Sequence, residues 1–327
     1  MKSDIIAGLT SLILSVVLGI VFIPVLRKIK AGQTILHYVK EHEKKNGTPT
    51  MGGLFFILPS SLVFLLFGGT KSRIALVAMS IGLAFLVVGF LDDYIKIHRK
   101  KNEGLKPYQK IIFQLSIAVL AGVYAWHNGL TTFYIPFISS EIDLGFLSIF
   151  VIAVIFIAIT NSVNLTDGLD GLASSVSVVY LFFLSVLIIL QCERLSFLRL
   201  GIEEYQNLNL LSACLIGGTL GFLLFNVSPA KVFMGDTGSL SLGGFIGAIS
   251  IFSLNSFFIP VLGIMFVVSS ISVIVQVLYY KKTKKRVFLM APIHHHFQLK
   301  GYSETKIAFA YVLISVVFGL LSVIPYL

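Results

Sequence analysis

Ten apolar runs divide this 327-residue chain, and most are long enough to cross a bilayer as helix. They fall at residues 5–26, 53–67, 74–91, 111–126, 144–160, 172–190, 208–225, 240–254, 258–280 and 307–327. An apolar run of this length can be satisfied in lipid only by a helix, since every backbone polar group needs a partner within the segment. The expected fold is therefore an all-α polytopic membrane protein of about ten transmembrane helices. The second and eighth runs are short, and adjoining apolar or small residues extend them. Composition agrees, with 56% hydrophobic and only 12% charged residues, against about 25% charged in soluble domains. With ten spans there is no room for a separate soluble domain, so residues 1–327 read as one transmembrane catalytic domain. The run at 5–26 is too long for a signal-peptide core and reads as a retained first span.

Charge sets the orientation. Alternating the connections between two sides puts twenty of the 25 Lys and Arg residues in one set of loops and five in the other. By the positive-inside rule the richer set is cytoplasmic and both termini lie outside. The net charge of +10 is explained by that bias. Nucleic acid is excluded as a partner because the basic residues sit in short loops between spans. The outer segment 131–143, TTFYIPFISSEID, carries β-branched and aromatic residues around a proline and reads as a small β-hairpin. Cys192 and Cys214 form no CxxC motif and no disulfide framework.

All the polar clusters fall in the cytoplasmic set. Lys45 precedes Gly-Thr-Pro-Thr-Met-Gly-Gly at 47–53, which contains Thr50, and the third span ends in Asp92-Asp93-Tyr94, followed by Lys96 and Lys110. Between the fifth and sixth spans runs NSVNLTDGLDG at 161–171, with Asn164, Asp167 and Asp170. Residues 226–239, NVSPAKVFMGDTGS, join the seventh and eighth spans and hold Asn226, Lys231, Phe233 and Asp236. The last cytoplasmic loop carries Pro292-Ile293-His294-His295-His296-Phe297.

Asp92, Asp93, Asp167, Asp170 and Asp236 are hard oxygen donors of the kind that suit Mg²⁺. Lys45, Lys96, Lys110 and Lys231 can neutralise phosphate. Asp92 and Asp93 point about 100° apart on a helix, so one can bind metal while the other acts on a reacting group. An acidic pair at a helix C-terminus opposes the helix dipole and needs a reason beyond capping. Three consecutive histidines cannot readily surround one tetrahedral zinc ion, and hydrogen bonding to phosphate is their better use. No GxxxxGK[ST] loop occurs. Cations, carboxylates and a metal gathered on one face are what transfer of a phosphorylated group requires. A secondary transporter would share the span count, but it would place ionisable groups at mid-span, where this chain has none.

These motifs, in this order, resemble the polyprenyl-phosphate N-acetylhexosamine-1-phosphate transferases over essentially the whole chain. The Asp92-Asp93 and 161–171 motifs look like those of the wider family. GTPTMGG at 47–53 and MAPIHHHF at 290–297 resemble its phospho-N-acetylmuramoyl-pentapeptide transferase (MraY) branch. That branch usually carries Glu after the final Phe, where this chain has Gln298.

The resemblance implies transfer of phospho-N-acetylmuramoyl-pentapeptide from UDP-N-acetylmuramoyl-pentapeptide to undecaprenyl phosphate. The products would be lipid I and UMP, made at the inner face of the bacterial plasma membrane for peptidoglycan synthesis. It implies a Mg²⁺ cofactor held by Asp236 with Asp92, and catalytic roles for Asp92, Asp93, Asp236, His294 and His295. Asp92 would deprotonate or align the lipid phosphate, and Asp93 would assist it or the metal. Lys45, Thr50, Lys96, Lys110, Asn164, Asp167, Asp170, Asn226, Phe233 and His296 would bind substrate, with Phe233 stacking on uracil. A homodimer is compatible with the resemblance. A branch that uses UDP-N-acetylglucosamine is the alternative within the same chemistry.

Overall fold

The computed structural model describes residues 2–28, 47–99, 103–138, 140–193 and 200–326. The helices are α1 (Lys2–Lys28), α2 (Leu54–Leu66), α3 (Arg73–Arg99), α4 (Pro107–His127), α5 (Ser148–Thr166), α6 (Leu172–Glu193), α7 (Ile202–Asn226), α8 (Gly235–Phe252), α9 (Ile259–Leu262), α10 (Ile264–Thr283), α11 (Ile293–Leu299) and α12 (Glu304–Val323). Between α4 and α5, strands β1 (Thr132–Ile135) and β2 (Ser140–Asp143) form the expected antiparallel hairpin, with Thr132 opposite Asp143.

Among the described residues, eight helices are long and apolar enough to cross a membrane. The outward faces of α1, α4, α10 and α12 expose Ile, Leu, Val and Phe, as helices bordering lipid do. α8 has the opposite character, being buried without interruption from Thr237 to Phe252. It is the axis of the bundle, and its small residues let its neighbours approach. A β-carbon at Gly243 would lie 2.7 Å from the Thr160 Cα of α5, and one at Gly244 would lie 2.5 Å from the Phe85 ring of α3.

The two short runs do traverse the bundle. α2 has 13 residues, about 20 Å of helix, but it begins beside Phe222 of α7 and continues through a 3₁₀ turn (Gly69–Lys71) to Ser72. Ser72 bonds the Glu204 carboxylate near the other end of α7. Residues 204–222 of α7 span about 27 Å, close to the ~30 Å hydrocarbon core. α8 likewise starts at the level of Asp170 and leads to Asn255, which bonds Gln191 at the far end of α6. The small residues next to each run supply the missing length.

Several motif segments lie on helices and not in loops. α3 does not end at Asp92-Asp93 but continues to Arg99; residues 161–166 are the last turns of α5; and α8 begins at Gly235, five residues before the apolar run. Hydropathy drops where polar side chains appear, whereas the helical hydrogen bonding continues. The ninth run is not one helix, since α9 stops at Leu262 and α10 restarts at Ile264 across Gly263. α11 was not expected as a helix.

Asp4 bonds Asn209, two turns into α7, and Tyr326 bonds Asn255. Both ends of the described chain therefore lie on the face opposite the 47–53, 161–171 and 226–239 motifs.

Candidate active site

At that other face four helix ends and α11 converge. Gly89 permits the approach of α3 to the first turn of α8, because a β-carbon there would lie 2.1 Å from the Asp236 carbonyl oxygen. Asp93 is fully buried. Its Oδ1 accepts the Asp236 N–H at 3.2 Å, and its Oδ2 accepts the N–H and hydroxyl of Thr237 at 2.9 and 2.7 Å. A carboxylate at a helix N-terminus satisfies free amides and complements the dipole. Asp93 thus caps α8 from outside and fixes the residue that carries the next carboxylate.

Asp236 is the hub. Its Oδ2 accepts from Lys96 Nζ at 2.9 Å and Lys110 Nζ at 2.8 Å, and its Oδ1 accepts from Asn164 Nδ2 at 2.6 Å. Asn164 also donates to the Ser239 hydroxyl at 2.8 Å. Lys96 reaches the Asp92 Oδ2 at 2.6 Å, so its ammonium lies between Asp92 and Asp236. The Leu105 N–H closes over the Asp92 Oδ1 at 2.8 Å, past Gly104, where any side chain would collide with that carboxylate. One oxygen from each of Asp92, Asp93 and Asp236 lies within 4.8 Å of the others, a grouping that could hold a metal ion.

The 47–53 motif lies across this centre. Phe233 N–H donates to the Pro49 carbonyl at 2.8 Å, and Gly52 N–H returns to the Phe233 carbonyl at 3.0 Å. The Phe233 ring stays half-exposed, whereas the Thr50 side chain is buried with its hydroxyl unpaired. Gly235, at φ +71°, leaves open the space that the Thr50 hydroxyl and the Asp93 carboxylate border.

Asn226 and Asp170 face inward as braces. Asn226 accepts from the Ser174 hydroxyl and donates to the Val232 carbonyl, and Asp170 accepts the Ala230 N–H. Asp167 is half-buried, and its carboxyl is held well above the usual range by burial, then by the carboxylates of Asp236, Asp93 and Asp170. Lys45 lies outside the described residues.

The three histidines separate. His294 is fully buried and both of its ring nitrogens lack a partner. A β-carbon on Gly168 would lie 2.3 Å from His294 Nε2 and 2.9 Å from His295 Nε2, so both imidazoles are directed at the 161–171 motif. Burial, then the neighbouring His295 ring at 4.4 Å, holds the His294 pKa well below 6.5, so this imidazole is neutral near pH 7. His296 turns away, and its Nδ1 accepts the Leu289 N–H at 3.1 Å.

Asp92, Asp93, Lys96, Lys110, Asn164 and Asp236 are joined directly, with Thr50, Asp167 and Phe233 around them, and His294 and His295 meet the same motif from α11. Asn226, Asp170 and His296 hold loops in place. Thr237, Ser239 and Gly168 also belong to the site; all three lie inside the conspicuous motifs, which marked the segment without singling them out.

A buried acid–lysine cluster at one end of a polytopic bundle defines a membrane transferase for phosphorylated substrates, and residues 73–254 match Glycosyl transferase family 4. Residues 45–57 match Phospho-N-acetylmuramoyl-pentapeptide-transferase signature 1. Relatives bearing the name phospho-N-acetylmuramoyl-pentapeptide-transferase include proteins of Clostridium botulinum (43% identity, covering 93% of this chain and 90% of the relative), Acetivibrio thermocellus (41%, 94% and 90%) and Listeria welshimeri (44%, 94% and 93%). The chain belongs to the phospho-N-acetylmuramoyl-pentapeptide-transferase family, enzymes of the glycosyl-1-phosphate transferase class, and is a multi-pass bacterial membrane protein.

Proposed function

We propose that this enzyme uses UDP-N-acetylmuramoyl-pentapeptide and undecaprenyl phosphate, forms lipid I and releases UMP, and does so at the cytoplasmic face. The observation that carries this reading is the Lys96 ammonium held 2.6 Å from Asp92 and 2.9 Å from Asp236. A cation already occupies the gap between these carboxylates, so their spacing and hard-oxygen chemistry suit a divalent ion. Asp236 with Asp92 would hold Mg²⁺, which when bound supplies positive charge against the diphosphate.

The remaining work falls to the chain. An oxygen of the lipid phosphate attacks the sugar-linked phosphorus, a new P–O bond forms, and the bond to the UMP oxygen breaks. The attacking phosphate is already largely ionised near neutral pH, its second pKa being about 6, so Asp92 serves to align it. Lys96 and Lys110 offset the charge that accumulates on the phosphate oxygens. Asn164 holds Asp236 in orientation, and Asp93 sets its position by capping α8. The half-exposed Phe233 ring offers a stacking surface for uracil, and Thr50 and Asp167 bind substrate from the same site. His294 and His295 meet the oxygens of the diphosphate, and an unpaired buried imidazole is a strong reason to expect a ligand there. The excess of Lys and Arg in the loops on this side supports the cytoplasmic placement.

The test is UMP release by purified enzyme given undecaprenyl phosphate and either UDP-N-acetylmuramoyl-pentapeptide or UDP-N-acetylglucosamine, with Mg²⁺ or with EDTA. Turnover with the muramoyl substrate and Mg²⁺ alone is expected. Turnover with the glucosamine substrate, or undiminished turnover in EDTA, overturns the reading.

A further inference from the structure

We infer that Glu304, at the start of α12, is a positioning residue that fixes which nitrogen of His295 carries the proton and ties the histidine helix to the 161–171 motif. The inference rests on the reading that His295 meets the reacting phosphates.

α11 has only seven residues and cannot hold its own geometry in isolation. It is fastened from outside. Gln276 of α10 accepts the N–H groups of Val287 and Phe288 at 3.1 and 2.9 Å and donates to the Phe288 carbonyl, and Ser272 accepts the Ile293 N–H at 3.0 Å. These contacts fix where α11 begins. Its end is fixed by Gln298, buried at 4% exposure, which bonds both His295 and Glu304.

Two contacts at Glu304 and one between Gln298 and His295 form an ordered chain. One carboxylate oxygen accepts the Asp170 N–H at 3.0 Å, and the other accepts from Gln298 Nε2 at 3.3 Å. The Gln298 Oε1 lies 3.1 Å from His295 Nδ1. An ionised carboxylate only accepts hydrogen bonds, so the amide must turn its NH₂ to Glu304 and its oxygen to His295. That oxygen requires a proton on Nδ1. In the neutral ring the lone pair is then on Nε2, the nitrogen directed at Gly168. A hydrogen bond to one imidazole nitrogen selects the function of the other.

Glu304 is placed for this task. It sits in the first turn of α12, behind the Ser303 cap, where the helix dipole favours a negative charge. A carboxylate in place of the Gln298 amide would face Glu304 across the same 3.3 Å. The amide supplies a donor to one side and an acceptor to the other. Asp170 extends the chain by accepting the Ala230 N–H at 3.0 Å, so one carboxylate couples α11, the α5–α6 connection and the segment leading to Asp236.

A reciprocal swap tests this. Gln298→Leu removes the acceptor for Nδ1. Glu304→Gln leaves one acceptor oxygen for two donors. The double variant Q298E/E304Q restores these three bonds, with the polarity of the 298–304 bond reversed. The carboxylate introduced at position 298 accepts from His295 and from the amide introduced at position 304, and the oxygen of that amide accepts the Asp170 N–H. Turnover is measured on full-length enzyme, per folded molecule by size exclusion and thermal midpoint, with His295→Ala as control. Each single variant is expected to lower kcat about tenfold while KM for either substrate changes less than about threefold. The double variant should recover to within about threefold of the parent. A double variant no better than Glu304→Gln, or a fully active Gln298→Leu beside an inactive His295→Ala, overturns the relay. An active His295→Ala overturns the role of His295 itself, and the relay with it.

Discussion

Asp93 on α3 receives both the backbone N–H and the hydroxyl of Thr237 on α8, at 2.9 and 2.7 Å, across 144 positions of sequence. The adjacent carboxylate of Asp92 points elsewhere, to Lys96 and Leu105. Two consecutive aspartates therefore divide into a brace for α8 and, in the proposed mechanism, the carboxylate that aligns the attacking phosphate. Removing a capping carboxylate costs about 0.5–2 kcal/mol, with more where the site is buried. Asp93→Ala should lower the thermal midpoint in detergent and displace Asp236, losing turnover through both. Asp92→Asn keeps an acceptor for Leu105 and should lose turnover at least tenfold with stability within about 1 kcal/mol of the parent. Paired melting and UMP-release assays check the contrast, and equal loss of stability in the two variants contradicts it.

Lys96 and Lys110 both neutralise Asp236, but only Lys96 also serves Asp92. Lys110→Met leaves Asp236 one counter-charge. Lys96→Met leaves the buried Asp92 with none, and breaking a buried pair from one side costs about 3–5 kcal/mol. Lys110→Met should accumulate as folded protein with turnover reduced at least tenfold, whereas Lys96→Met should also lose folded yield. Detergent-solubilised yield and thermal midpoint measured side by side decide this, and the reverse order refutes it.

How much of this was legible beforehand depends on what kind of signal each feature leaves. The spans were, because a bilayer demands long apolar runs, and so was the hairpin at 131–143. The residues of the cluster were visible as acids and lysines, but not their division of labour. Nothing local distinguishes Asp93 from Asp92, because what separates them is the first turn of α8. The helical continuation over 94–99 and 161–166 was missed since a hydropathy run stops at the first polar side chains. Glu304 left no signal at all, being an ordinary first-turn acid until Gln298 and Asp170, 134 positions away, are folded against it.

Gly168 is the contact point between the 161–171 motif and α11. A methyl group there would lie 2.3 Å from one imidazole nitrogen and 2.9 Å from another. Both rings belong to a short helix fastened at its ends, so the collision moves the helix before it moves α5. Gly168→Ala should reduce turnover at least tenfold while destabilising the fold by about 1–3 kcal/mol, the usual range for overpacking. Kinetics and melting together check it, and parental kcat in the variant contradicts it.

His294 makes the stability of the enzyme depend on pH, with a definite sign. Its pKa in the folded protein is pushed well below 6.5 by burial and then by His295. As pH falls below about 6.5 the unfolded chain binds a proton that the folded chain refuses, so stability is lost on acidification at up to about 1.4 kcal/mol per pH unit. The loss ends once pH passes below the depressed folded pKa. Asp167 works in the opposite direction, because its raised pKa makes the folded state the better proton binder in the range above 3.8. The His294 contribution must therefore be read as a difference between parent and His294→Gln. Between pH 7.5 and 5.5 the parent should lose more thermal stability than the variant, which carries no titrating ring. A variant whose midpoint falls as steeply as the parent's would mean that the buried imidazole takes up its proton without resistance, and that a group other than His294 sets the acid sensitivity.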